Sequence, residues 1–266
     1  MTKRFKSHPV NRGETMALQI GSNQSRFVAF VATFTAMIAV LDVIPTLPTF
    51  YAGIWDSWPF LLSPIIGILL GPYLGALSVG LGSFLGHVIY FRDPTEMLFM
   101  LGLPLGAAMA GFVYQRRWKP VLGIYTLMLL GYFVYPVSWG LPLWGIWDIL
   151  FGYVIVLIYT VVTKRNVWSN SSESYKSLLL VFCSVIALET DILFRVFVLV
   201  PGQAYWFFYG WTPINLYYLW LGAGFITPIK VMMATIVTIT LGRQVLRVLE
   251  THGELIPMDE AAATSI

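Results

Sequence analysis

Seven ionisable side chains lie inside stretches of sequence that are otherwise apolar. They are Asp42, His87, Asp148, Glu189, Asp191, Arg195 and Lys230. An ionisable group within a membrane segment is energetically costly, so each of these residues is a hypothesis for a functional site. Six of the seven, all except Lys230, lie in the outer half of their segments. The outer side is the one opposite the loops rich in lysine and arginine, which are described below. This distribution predicts a polar pocket open to the outer face.

The spacing of these residues indicates how some of them interact. Asp191 and Arg195 are four residues apart on one helical face and can form an ion pair. Glu189 projects in roughly the opposite direction and needs another partner, for which Lys230 and His87 are candidates. Each residue also has a purely structural interpretation: Asp191 and Arg195 as a stabilising pair, Asp42 as the border of a helix, and His87 as a hydrogen-bonded helix contact.

Known catalytic arrangements are missing from the sequence. Two of the three histidines lie in the terminal tails, which excludes a histidine-rich metal centre. Ser83 and His87 do not lie in the G-x-S-x-G motif of serine hydrolases. The glycines of Gly80–Gly86 have the wrong spacing for a nucleotide-binding loop. The sequence therefore predicts no catalytic residue, no metal site and no cofactor.

Composition places these residues in an integral membrane protein. Of the 266 residues, 58% are hydrophobic and only 11% are charged, against about 25% charged in soluble proteins. Basic residues are scattered among short loops, so nucleic acid is not an expected partner, whereas the lipid bilayer is. We expect an all-α, polytopic bundle of six to eight helices. The apolar segments lie near 27–44, 59–71, 73–91, 96–114, 120–137, 141–163, 177–200 and 213–243.

Gly71 and Pro72 interrupt the longest charge-poor run and predict a hairpin between two apolar helices. The stretch 59–71 is short and is interpreted either as a crossing or as a buried half-helix. Glycines that recur near every fourth position, including Gly75, Gly82 and Gly86, indicate close helix packing.

Lysines and arginines predict the orientation, because they collect on cytoplasmic flanks. They occur in the N-terminal tail, at 116–119, at 164–176 and after the last segment. We therefore expect a multi-pass protein of the cell membrane with both termini in the cytoplasm: a tail over 1–26, a membrane domain over 27–245, and a disordered tail over 246–266. Most tryptophans, including Trp144, fall on the outer side, where they suit stacking on a planar ring.

Three features together resemble a known family. The first helix carries Ala32 and Ala36 in an A-x-x-x-A pattern, the run PIIGILLGPYLGALSVGLGSFLG follows, and the last helix contains ITPIKVMMATIV. These features are similar to the substrate-capture subunit, or S component, of energy-coupling factor transporters. The resemblance implies that Ala32 and Ala36 dock onto a transmembrane coupling subunit and that the outer helix ends enclose a vitamin or other micronutrient. Members of this family usually have six helices, whereas this chain is expected to carry an additional helix pair within 120–176.

The leading hypothesis is a membrane-embedded, substrate-binding subunit of an importer that depends on partner ATPase subunits. Its candidate binding residues are the seven ionisable residues and Trp144. A second hypothesis is a membrane enzyme acting on a lipid or isoprenoid, with Asp148, Glu189 or Asp191 as acid or base. A third is a non-catalytic assembly subunit whose small-residue ridges bind other helices.

Overall fold

The chain folds as an all-α helical bundle. Its computed structural model describes residues 16–18, 24–44, 58–90, 96–165, 173–251 and 255–257. The helices are α1 (Gln24–Val43), α2 (Ser63–Ile89), α3 (Glu96–Phe99), α4 (Gly102–Tyr114), α5 (Trp118–Val134), α6 (Trp147–Lys164), α7 (Glu173–Leu199), α8 (Ala204–Phe207), α9 (Pro213–Val237) and α10 (Arg243–Thr251). Short 3₁₀ turns cover Trp58–Leu61, Pro136–Gly140 and Leu143–Ile146.

Five apolar stretches in the described residues are long enough to cross a membrane. They are Ser63–Ile89, which reverses direction at Gly71, and Glu96–Tyr114, Leu143–Lys164, Tyr175–Leu199 and Pro213–Leu249. Two shorter apolar helices, Val28–Val43 and Trp118–Val134, accompany them. The predicted class, a multi-pass helical membrane bundle, is therefore confirmed, and each of the eight predicted apolar segments corresponds to helical structure.

The predicted break at Gly71 and Pro72 is present within α2. Gly71 has a φ of 77°, which a residue without Cβ adopts readily. The chain folds back here, because a Cβ on Gly75 would lie 2.8 Å from the Cα of Gly67. Residues 63–70 are all buried and extend about 12 Å at 1.5 Å per residue. They form a half-helix within the bundle, since a full crossing needs about 20 residues.

Helices α2, α4 and α7 form a closely packed core around this half-helix. A Cβ on Gly111 of α4 would lie 2.5 Å from the nitrogen of Pro72, while Gly80 lies against Pro104 nearer the start of α4. The second part of α2 and α4 therefore run antiparallel. A Cβ on Gly106 would in turn lie 2.7 Å from the carbonyl oxygen of Ala187 in α7. Small residues allow these backbones to approach, as expected for helix contacts in a membrane.

Helix α9 begins with a capping box, and helical structure continues after it beyond the predicted last segment. The Thr212 nitrogen donates to the side chain of Asn215, and Pro213 occupies the first helical position. A π-helical segment, Thr238–Gly242, joins α9 to α10. Helix α10 extends into the range expected to be a disordered tail, so that expectation is wrong as far as Thr251.

Outside the helices, the described parts of the tails are two three-residue strands. These strands, β1 (Met16–Leu18) and β2 (Leu255–Pro257), pair antiparallel with Ala17 opposite Ile256. The remaining residues of the two predicted tails lie outside the described part of the chain.

Candidate functional site

A small cavity of about 20 Å³ lies between α7, α9 and the turn that precedes α6. Its lining consists of Gly145, Ile192, Arg195, Val196, Leu199, Leu219, Trp220, Ala223 and Thr227. Most of these residues are apolar, and Arg195 and Thr227 supply the polar groups. This mixture of apolar residues and a few polar groups is common in small-molecule sites, but the cavity as it stands has room for about one water molecule.

The predicted ion pair between Asp191 and Arg195 forms beside this cavity. The Arg195 Nε donates to Asp191 Oδ1 at 2.7 Å, and both side chains are buried. Asp191 also lies against α4, where a Cβ on Gly102 would overlap its carboxylate. Gly102 therefore allows α4 to approach the ion pair closely.

Asp148 is held behind the cavity wall at the start of α6. One carboxylate oxygen accepts a hydrogen bond from the Thr227 hydroxyl, and the other accepts from the nitrogen of Ile149 at 2.9 Å. Thr227 itself lines the cavity. The Asp148–Thr227 hydrogen bond thus connects the cavity surface to a buried carboxyl group.

Glu189 lies next to Asp148, across the contact between α6 and α7. Gly152, one turn after Asp148, makes room for it, because a Cβ there would lie 2.8 Å from the Cβ and Cγ of Glu189. Tyr125 from α5 reaches the same place, its hydroxyl 2.6 Å from that Cβ position, and donates to the carbonyl of Ile149 at 2.7 Å. Asp148, Glu189 and Tyr125 are close enough to interact electrostatically.

Neither predicted partner of Glu189 reaches it. His87 instead pairs with Asp42, with Nδ1 2.8 Å from Asp42 Oδ2 and 2.9 Å from the carbonyl of Ser83. The Lys230 ammonium lies 5.4 Å from the ring centroid of Phe60. The seven ionisable residues therefore occupy several helix interfaces, and only Asp148, Glu189, Asp191 and Arg195 gather near the cavity.

The contact between Asp42 and His87 belongs to the interface of α1 and α2. A Cβ on Gly86 would lie 2.5 Å from Asp42 Oδ2, and Gly82 packs equally closely on Ile38. Thr35 and Ser78 add a hydrogen bond between the hydroxyls at 3.1 Å. This arrangement agrees with the structural interpretation of His87 as a helix-contact residue.

Trp144 packs beside the cavity without lining it. Its ring stacks on Trp147 at 6.0 Å and meets Phe225 edge-on at 5.1 Å. The ring packs directly on Gly224 of α9, since a Cβ there would lie 2.7 Å from Trp144 Nε1. The neighbouring Trp220 is the tryptophan that faces the cavity.

We call the end of the bundle that holds Trp139, Trp144, Trp206 and Trp211 the tryptophan-rich end. The Tyr135 and Tyr205 hydroxyls are 3.4 Å apart in the segments connecting helices at this end. Burial, together with this hydrogen bond, raises the pKa of Tyr205 to about 12, so its hydroxyl remains protonated at neutral pH. At the opposite end Lys119 and Lys164 both lie over the ring of Trp118, at 5.9 and 4.2 Å from its centroid.

Sequence reasoning missed Thr227 and Tyr125 as members of this cluster. Thr227 is 79 residues from Asp148, and no local spacing connects the two. A hydroxyl inside an apolar segment is nevertheless a usable signal, because such groups commonly hydrogen-bond across membrane helices.

By its structure, the chain belongs to the class of multi-pass helical membrane proteins, and it has a cavity near its tryptophan-rich end. Comparison of the chain with models of known protein families, with curated proteins and with solved structures found no match.

Proposed function

We propose that the protein is the membrane-embedded, substrate-binding subunit of a micronutrient importer of the energy-coupling factor type. The cavity between α7, α9 and the start of α6 carries this proposal. It combines apolar walls and Trp220 with the polar groups of Arg195 and Thr227, a composition typical of a site for a small solute, and it would have to widen to admit one. The solute would enter from the tryptophan-rich end, and partner ATPase subunits would drive its release.

The exposed face of α1 supports the docking part of the proposal. Ala32 and Ala36 are both exposed, whereas Thr35, Ile38 and Asp42 of the same helix face α2. A smooth face of small residues allows another membrane helix to approach closely. A transmembrane coupling subunit is the partner proposed for this face.

Native mass spectrometry of the protein, gently extracted from its own membranes, tests the function directly. The expected spectrum contains a complex with a coupling subunit and ATPase subunits, together with the added mass of a small solute. A monomer that carries only lipid would contradict the importer and favour the lipid enzyme considered above.

Ala32→Leu tests the docking face. We expect the larger side chain to reduce recovery of the coupling subunit at least about tenfold, because a loss of about 1.4 kcal/mol in a helix contact has that effect. The fold should persist, because Ala32 is exposed. Co-purification measures docking, and alkylation of the buried, sole cysteine, Cys183, measures folding.

Gly123→Leu is the matched control for this experiment. Gly123 is an exposed position on α5 with no atom within 4 Å of an added Cβ, so the variant adds a comparable side chain to a different helix face. Undiminished co-purification of Ala32→Leu with the coupling subunit would show that this face is not the docking site.

A further inference from the structure

Five basic residues gather around Trp118 at the end of the bundle opposite the tryptophan-rich end. We call them, together with Trp118, the basic cluster; they are Arg116, Arg117, Lys119, Lys164 and Arg165. Lys119 follows Trp118 at the start of α5, and Lys164 is the last residue of α6. Their ammonium groups lie over the same Trp118 ring, at 5.9 and 4.2 Å from its centroid. The ends of two helices therefore bring cations to one place.

The charge of the basic cluster is not neutralised by nearby carboxylates. Within the residues that the structure describes, none of the five cations forms an ion pair. Helix α5 contains no acidic residue, and Asp148, the acidic residue of α6, lies near the other end of that helix, about 24 Å from Lys164 along its axis. The cluster therefore has an excess of positive charge, which favours an anionic partner from outside the chain.

Arg116 has a second property that points to such a partner. It occupies the turn between α4 and α5 with a φ of 56°, a region that a residue with a Cβ adopts only at some cost. Its side chain is half-buried, and its Nε has no hydrogen-bond acceptor in the described ranges of the chain. Burial lowers the pKa of this guanidinium from its ordinary value, because desolvation disfavours the charged form. An external anion would supply the missing acceptor and the missing charge.

Exposed apolar stripes extend from the basic cluster along both helices. On α5, Leu127, Leu130 and Val134 follow Lys119 at helical spacing and are exposed. On α6, the exposed residues Val154, Leu157 and Val161 lie on the face of Lys164. A cationic end that continues into two apolar stripes matches a phospholipid, whose phosphate is charged and whose acyl chains are apolar. A small soluble anion would make no use of these stripes.

We propose that the basic cluster binds the phosphate group of an anionic phospholipid, whose acyl chains lie along the stripes of α5 and α6. Lys119 and Lys164 contact the phosphate from the two helices, and Arg116 adds a donor from the preceding turn. Trp118 occupies the level of the lipid headgroups, where tryptophan is common. This inference is independent of the proposed function, because it concerns neither the cavity nor the exposed face of α1.

Native mass spectrometry of the full chain with two added lipids tests the proposal. Phosphatidylglycerol, which is anionic, is compared with phosphatidylcholine, which has the same phosphate but no net charge, with identical acyl chains in both. We expect one phosphatidylglycerol molecule to bind at least about tenfold more tightly than phosphatidylcholine. Combining Lys119→Gln with Lys164→Gln should lower the affinity for phosphatidylglycerol about tenfold and change that for phosphatidylcholine little. Arginine at both positions should retain the preference, because the charge is retained.

Combining Arg243→Gln with Arg247→Gln is the matched control, because it removes the same charge from a different helix, α10. This variant should retain the preference for phosphatidylglycerol. Slow alkylation of the buried Cys183 verifies that each variant is folded. The comparison of the two lipids on the unaltered protein needs no variant.

Equal binding of the two lipids would overturn the inference, and so would an equal loss of preference in the α10 control, which would indicate diffuse surface charge. Displacement of phosphatidylglycerol by millimolar inorganic phosphate would assign the cluster to a soluble anion and reject the lipid. A lysine variant that keeps phosphatidylglycerol but loses the partner ATPase subunits would identify a protein-docking surface instead. The absence of those subunits from the unaltered complex bears on the proposed function alone.

Discussion

Gly67→Ala is expected to abolish stable folding of the bundle. The added methyl group would overlap the carbonyl oxygen of Ala107 and lie 2.8 Å from its carbonyl carbon. Both atoms belong to the backbone of α4, so no side-chain rotation relieves the overlap. Either the half-helix or α4 must move, and both belong to the most closely packed part of the structure.

Gly123→Ala provides the matched comparison, since it is the same substitution in a helix with open space around the new methyl group. Alanine is favoured over glycine in a helix by about 1 kcal/mol, so this variant should be as stable as the original chain or slightly more stable. Both variants can be followed through Cys183, which is 0% exposed and reacts with maleimide only when the bundle opens.

We expect rapid labelling of Cys183 and little monodisperse protein for Gly67→Ala, and slow labelling for Gly123→Ala. Equal labelling rates would show that the contact between Gly67 and Ala107 is not close in the membrane. Gly111→Ala should resemble Gly67→Ala, because its methyl group would meet the backbone of Pro72.

The sequence was sufficient to predict features that depend on local spacing. The reversal at Gly71 and Pro72 follows from residue types with restricted or permissive backbones. The pair Asp191–Arg195 follows from helical periodicity alone. Both are present in the structure.

Contacts between distant segments were not predictable in the same way. The contact of His87 with Asp42 joins residues 45 apart, and that of Thr227 with Asp148 joins residues 79 apart. Which helices become neighbours depends on packing across the whole bundle. Sequence periodicity could identify the polar residues in each helix, but not their partners on other helices.

The glycine pattern illustrates the same limit. It indicated close helix contacts, and Gly75, Gly82 and Gly86 do make them. It did not indicate that Gly152 admits Glu189 beside α6, because that glycine lies outside any small-residue ridge. The contact of Glu189 with Gly152 and Tyr125 therefore emerged only from the structure.

Asp191→Asn is expected to destabilise the protein by about 3–5 kcal/mol, because it removes the carboxylate charge that pairs with the buried Arg195 guanidinium. Asparagine has almost the same shape as aspartate, so the close contact with Gly102 is preserved and the change is mainly one of charge. The measurement is the denaturant concentration at which Cys183 becomes reactive. That concentration should fall clearly for the single variant.

Combining Asp191→Asn with Arg195→Met removes the buried cation as well, and replacing buried ion pairs by apolar groups is often neutral. The double variant should therefore recover much of the lost stability, although its cavity lacks Arg195. Equal stability of the single and double variants would show that the cost arises from packing rather than from an uncompensated charge. Wild-type stability of Asp191→Asn would show that the ion pair does not stabilise the fold, and its place beside the cavity would then favour a role in solute binding.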